Sequence, residues 1–246
     1  MENITNDYLL GKKVKIFQKK DGYKTSSDAV LLSSFVQSAK DGYHILDVGS
    51  ATGGISLCLA YRLKNANIAG FEIQPDLADL ANLSAEANGF SNLKYFTHDI
   101  KQKKAPFDFC SFDAVVTNPP YAKDGSVSPN KSKALAHTQN DMTLEQWLSF
   151  CLKMLKPFGK LYLIHKAEAL DEILNILYQK TGDITILPIY SKKGQNATRV
   201  IIRAQKDSKA PLKILPPFVV HNLKGYTPAA EAILRDGKSY FEIKNI

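Results

Sequence analysis

His44-Ile45-Leu46-Asp47-Val48-Gly49-Ser50-Ala51-Thr52-Gly53-Gly54 is the stretch on which the fold turns. It opens as a short apolar strand pattern over His44 to Val48 and breaks into a turn of glycines and small polar residues. An apolar segment of helical period, Ile55 to Leu63, follows at once. Strand, glycine-rich turn and helix let a ligand approach the backbone N–H groups at a helix N-terminus. The Gly49 to Gly53 spacing is a weak signal alone, and Ala51 stands where the usual pattern has its second glycine.

The strands downstream strengthen it. Ile68 to Phe71 reads as a second strand and ends at Glu72. An acid about 20 residues beyond the turn can accept both hydroxyls of a ribose. Asp76 to Asn88 reads as a helix stopped by Gly89, and Leu93 to Thr97 as a third strand ending at His98-Asp99. Asp99 is placed to take a hydrogen bond from an adenine amine. Each acid alone reads as a solvated loop residue. Asp47, Glu72 and Asp99 at the ends of three successive strands converge on one sheet edge, where a nucleoside can lie.

A fourth strand, Ser111 to Thr117, runs into Asn118-Pro119-Pro120-Tyr121. Proline lacks the N–H and fixes φ, so the strand stops hard. Read plainly, this is a strand followed by a turn. Read chemically, the Asn118 side-chain oxygen and the Pro119 carbonyl each accept a proton of a planar amine. Tyr121 then stacks on the plane of the substrate.

The 246 residues are 44% hydrophobic with a net charge of +8, which suits one α/β domain and an anionic partner, nucleic acid before membrane surface. Cys58, Cys110 and Cys151 have no metal spacing, Cys58 reads as core, and a reducing cytosol fits. The polar start, Met1 to Asp7, is unlike a signal peptide, and no apolar run approaches a membrane span. Lys12 to Lys20 suggests one short strand with a solvated lysine face. Lys24, Thr25 and Asp28 precede or open a helix over Asp28 to Gln37, either as caps or as the mouth of a ligand site. Asn118 to Asp141 is a long polar loop with Lys123, Lys131, Lys133 and an incidental His137, and reads as a substrate-side flap. Thr143 to Lys156 is a helix whose Trp147 is read as core. The turn Pro157-Phe158-Gly159 leads to a strand over Lys160 to His165, and Ala167 to Gln179 is a helix. Asp183 to Tyr190 and Thr198 to Ala204 pair around the Lys192-Lys193 turn, and a basic tail holds a strand, Phe218 to His221, and a helix, Thr227 to Arg235. The chain divides into a cap segment (1–40), a core (41–204) and an extension (205–246) of a single domain.

Asp47 to Gly53, Glu72, Asp99 and Asn118-Pro119-Pro120-Tyr121, in this order and spacing, make the chain resemble the class I S-adenosylmethionine-dependent methyltransferases. The tetrapeptide resembles the signature of the amino-methylating branch, which acts on adenine N6, guanine N2 or glutamine amide. Gly22 to Leu32, Asn196 to Val200 and Gly225 to Arg235 extend the resemblance to the bacterial tRNA1(Val) adenine-37 N6-methyltransferase family. The resemblance implies a Rossmann-like fold: a seven-stranded, mostly parallel sheet, an antiparallel C-terminal hairpin and helices on both faces. It implies S-adenosyl-L-methionine as cofactor, tRNA as substrate, no metal and a cytoplasmic enzyme, with a monomer favoured. Asp47, Gly49, Ala51 and Gly53 then hold the methionine end of the cofactor. Glu72 binds its ribose, and Ile73, Asp99 and Ile100 its adenine. Lys24, Thr25 and Asp28 cover the site, while Asn118, Pro119, Pro120 and Tyr121 hold the target amine. Lys123, Lys131, Lys133, Lys192, Lys193 and Arg199 are the RNA-binding candidates. The alternatives are guanine-N2 methylation of rRNA, glutamine methylation of a protein, and a non-catalytic RNA- or nucleotide-binding module. Glutamine enzymes usually carry a helical N-terminal domain, and only about 40 residues precede the first strand here.

Overall fold

A computed structural model describes residues 3–22, 24–37, 40–102, 104–120 and 142–243. Its centre is one ten-stranded sheet. Five strands are parallel: β3 (His44–Val48), β4 (Asn67–Glu72), β5 (Leu93–Thr97), β6 (Phe112–Thr117) and β7 (Leu155–Lys166). β9 (Ala197–Lys206) lies antiparallel to both β7 and β8 (Thr181–Lys192). These seven are the expected strands, in the spatial order β5-β4-β3-β6-β7-β9-β8. The sheet then grows by three short ones: β10 (Lys213–Ile214) and β11 (Phe218–Asn222) run parallel to β8, and β12 (Gly225–Tyr226) pairs back on β11.

Alternation along the strands builds two cores, because successive side chains face opposite sides. Ile45 joins a core with α1 (Ser27–Phe35), α2 (Gly54–Arg62), α3 (Pro75–Ala87) and the C-terminal α6 (Pro228–Leu234). Leu46 and Val48 join the other, under α4 (Leu144–Met154) and α5 (Leu170–Leu177). Helix starts follow their sequence signals: Ser26 caps α1, Thr143 and Gln146 form a capping box on α4, and Thr227 caps α6.

The N-terminal segment is a hairpin, β1 (Ile4–Leu9) and β2 (Val14–Lys19), where the sequence suggests a single strand. β1 carries Asn6 and Asp7, residues depleted in strands, so only its partner identifies it. The free edge of β2 docks on α3: Asn88 bonds both the N–H (2.8 Å) and the carbonyl (2.7 Å) of Lys15, and Ser84 accepts from Phe17 N–H at 2.9 Å. Pro157-Phe158-Gly159 is a bulge inside β7 and not a turn before it, with Phe158 at φ 60°. The helix expected over Ala167 to Gln179 splits into a 3-10 turn (Ala167–Ala169) and α5.

Candidate functional site

All four sequence-marked strand ends lie on one edge of the sheet. Val48 pairs with Phe71 on one side and Thr117 on the other, and Glu72 pairs with Thr97. Gly49, Glu72, His98-Asp99 and Asn118 therefore leave adjacent parallel strands, spaced about 4.8 Å apart, in the same direction.

The loop after β3 needs left-handed backbone at three of its residues: Gly49 (φ 73°), Ala51 (φ 48°) and Gly53 (φ 89°). Glycine adopts this freely; at Ala51 the Cβ brings a cost of roughly 1–2 kcal/mol. Two buried contacts hold the loop in that shape. Glu72 accepts from the Ala51 N–H at 2.9 Å with one oxygen and from Gln74 N–H at 2.9 Å with the other. The indole of Trp147 lies where a Gly49 Cβ would be, 2.8 Å from that position. Trp147 also donates from Nε1 to Thr117 Oγ1 (2.9 Å), which donates to the Val48 carbonyl (2.8 Å). One side chain thus ties the glycine loop to the residue before Asn118. Read from sequence as core, Trp147 is buried, and it also braces the site.

Asp47 is fully buried, pointing under the loop toward α2. Ser56 Oγ donates to its Oδ2 at 2.7 Å and lies 2.9 Å from the Tyr95 hydroxyl, which reaches the Gly53 carbonyl at 3.3 Å. The Tyr95 ring occupies the space that a side chain at Gly53 or Gly70 would need. Burial, reinforced by the Glu72 charge, pushes the Asp47 carboxyl up to about 7. Burial also raises the Glu72 carboxyl above its ordinary value, against the two N–H donors. Ser56 and Tyr95 carry no motif; a glycine inside a strand, Gly70, is the sequence's one trace of the ring.

The covering segment sits over the loop. The Thr25 side chain fills the space beside Gly54, and Thr25 N–H donates to Gln18 Oε1 at 2.7 Å. The Lys24 ammonium is engaged by Thr5 and by Asp7 (3.2 Å), which ties the cover to the N-terminal hairpin. Asp28 pairs with Arg199 at 3.0 Å, so that cation joins α1 to β9. Ile73, Asp99, Ile100 and Asn118 are half-buried, and Pro119 is buried. Asp99 accepts from Lys101 N–H at 2.9 Å. Lys192 and Lys193 are exposed at the β8–β9 tip. Tyr121, Lys123, Lys131, Lys133 and His137 lie outside the described residues.

The arrangement fits the cofactor the sequence implies. Asp47 Oδ1, Ser50 Oγ and Thr52 Oγ1 are buried beside the loop with no partner among the described residues. Unsatisfied polar atoms in such a place suit a ligand that supplies donors and acceptors. The ribose-type acceptor Glu72 stands one strand away.

Fold and site define a class I methyltransferase. Residues 39–205 match the methyltransferase domain family. The chain is 30% identical over 176 residues to the tRNA1(Val) (adenine(37)-N6)-methyltransferase of Porphyromonas gingivalis, covering 69% of each. It is 28% identical to the same-named enzyme of Pedobacter heparinus, covering 92% of this chain and 95% of that one. Among solved structures, one described as a predicted O-methyltransferase from Agrobacterium tumefaciens superposes with a TM-score of 0.71 at 24% identity, covering 86% of this chain and 97% of that chain. That likeness is one of fold. The chain belongs to the methyltransferase family that holds the tRNA1(Val) (adenine(37)-N6)-methyltransferases.

Proposed function

We propose that the protein transfers a methyl group from S-adenosyl-L-methionine to N6 of an adenine next to the anticodon of a tRNA. The observation that carries this is the pairing of Val48 with Thr117, which brings the cofactor loop beside Asn118-Pro119-Pro120. The names of the relatives supply the base and the RNA. Bound there, S-adenosylmethionine supplies a methyl on a positively charged sulfur, a strong electrophile.

The chain's own residues align the partners. Glu72 receives the ribose, Ile73 and Ile100 flank the adenine of the cofactor, and Asp99 reads its amine. Gly49 to Gly53, backed by Asp47, hold the amino-acid end, and Thr25 and Asp28 close over it. Lys24 acts through the hairpin it is bonded to. Asn118 and the Pro119 carbonyl accept the two protons of the target amine and hold its lone pair on line. Tyr121 stacks on the target base. The amine proton becomes acidic once the nitrogen is alkylated, so no strong base is required.

Mass spectrometry of nucleosides from tRNA of deletion and parent cells tests the reading. Loss of N6-methyladenosine beside the anticodon is expected. Methyl transfer confined to guanine N2 or to a protein glutamine overturns it. The reading places the enzyme in the cytoplasm with its RNA; among the described residues no helix is long and apolar enough to cross a membrane.

A further inference from the structure

Two hairpin tips meet at the carboxyl edge of the sheet, away from the cofactor loop. The first joins β8 to β9 and carries Lys192 and Lys193. The second joins β11 to β12 and carries Leu223 and Lys224. β11 runs parallel to β8 with His221 beside Lys192, so both tips project from the edge that bears Asn118. Across the second hairpin His221 pairs with Tyr226, and the two rings stack at 5.0 Å and 21°.

The charge here is one-sided. Residues 190–199 and 218–228 contain no Asp or Glu. Lys192, Lys193 and Lys224 are exposed, and among the described residues none is in an ion pair. Arg199 differs, being bonded to Asp28. Leu223 is fully exposed at the tip, where an Asn222 side chain bonded to Lys224 N–H (2.8 Å) sets the turn. Leu223 stands bare among unpaired cations and contributes nothing to the core, whereas Tyr226 is half-buried, stacked on His221 and packed partly against the core.

We propose that these two tips form an RNA-contact surface separate from the methyl-transfer site, with the lysines on phosphates and Leu223, backed by the His221–Tyr226 stack, against an unpaired base. The proposal rests on the RNA reading above. Cations without local carboxylates are the electrostatic complement of a phosphate backbone, and apolar and aromatic groups beside them serve unstacked bases. β8 and β11 are the third and fourth strands from β6. At about 4.8 Å per strand the tips stand about 15–20 Å from Asn118. That is about five nucleotides along a stacked strand. A base extruded at Asn118 leaves the rest of its loop within reach, and phosphate contacts there offset the cost of unstacking.

The test uses the full chain and transcribed tRNA. For K192E/K193E/K224E, KM for tRNA is expected to rise at least tenfold, with cofactor Kd within twofold of wild type and Tm unchanged. The slope of log affinity against log salt should become shallower by about 2–3, near one per lost phosphate contact. Leu223→Ser alone should raise KM about threefold with the salt slope unaltered. A triple variant with wild-type KM and slope overturns the surface alone, because the lysines are then merely solvated. Absence of tRNA binding by the wild-type protein overturns the RNA reading, and this surface with it.

Discussion

The two halves of the sheet solve opposite problems. From β3 to β5 the strand ends are parallel, and their acids are drawn inward: Asp47 lies under the loop and Glu72 is nearly buried. At β8, β9, β11 and β12 the ends are hairpins, and Lys192, Lys193 and Lys224 on them stay in water. A small ligand is held by a few preorganised donors and acceptors, so its half can bear the cost of burying carboxylates. A polyanion is held by many weak contacts over a wide surface, each better made from exposed, adaptable lysines. β6 and Asn118 lie between the two halves, where both partners must meet.

The sharpest way to break this contrast is to remove the buried charge. A carboxyl whose folded value is raised contributes stability below its unfolded value, near pH 4, and loses it as pH rises through its folded value. For Asp47 that window runs from about pH 4 to about 7. Wild type should therefore lose, relative to Asp47→Asn, on the order of 4 kcal/mol across it. Urea denaturation at pH 4.5 and 8 captures most of the difference; a constant gap between the two proteins means that the fold leaves the Asp47 carboxyl at its unfolded value.

Asn118→Ala should keep cofactor affinity within about tenfold and lose turnover by about 10²-fold or more. Single-turnover assays at saturating tRNA check this, and normal turnover removes the amine-positioning role. Glu72→Ala should weaken cofactor binding by about 1.5–3 kcal/mol, the range for hydrogen bonds to a charged group. Calorimetry reads it directly, and unchanged affinity reduces Glu72 to a brace for Ala51. Trp147→Phe deletes the bond to Thr117 and also withdraws the far end of the indole from Gly49, leaving a small cavity. About 2 kcal/mol of stability should go, visible as a lower urea midpoint. The smallest effect is expected at Ala51→Gly. Relief of left-handed strain is partly cancelled by the greater freedom of an unfolded glycine, leaving a gain of about 0.5 kcal/mol. A loss there would show that the Ala51 methyl is packed usefully.

Much of the site was legible because it is written locally. Asp47, Glu72, Asp99 and Asn118 each end a run whose apolar pattern marks a strand, and parallel strands bring their ends together wherever the helices between them pack. The structure places all four on one edge. Less legible were the residues that hold these in place. Trp147 looked like core because it is core; its N–H bond to Thr117 spans 30 residues and leaves no periodic mark. Tyr95 and Ser56 fasten Asp47 from different elements.

The sequence by itself marked the core strands and helices and the acids at the strand ends, since alternation, glycine turns and prolines act within a few residues; the reaction class came from the family that Asp47 to Gly53 and Asn118-Pro119-Pro120-Tyr121 resemble. Only the tertiary structure decided which charges stay free. Asp28 and Arg199 are 171 residues apart and bonded, Lys24 is held by the first strand, and the tail carries Lys224 beside the Lys192 turn. The physical reason is that a charge is paired or solvated according to what the folded chain puts next to it, and that neighbour is set by packing across the whole sheet.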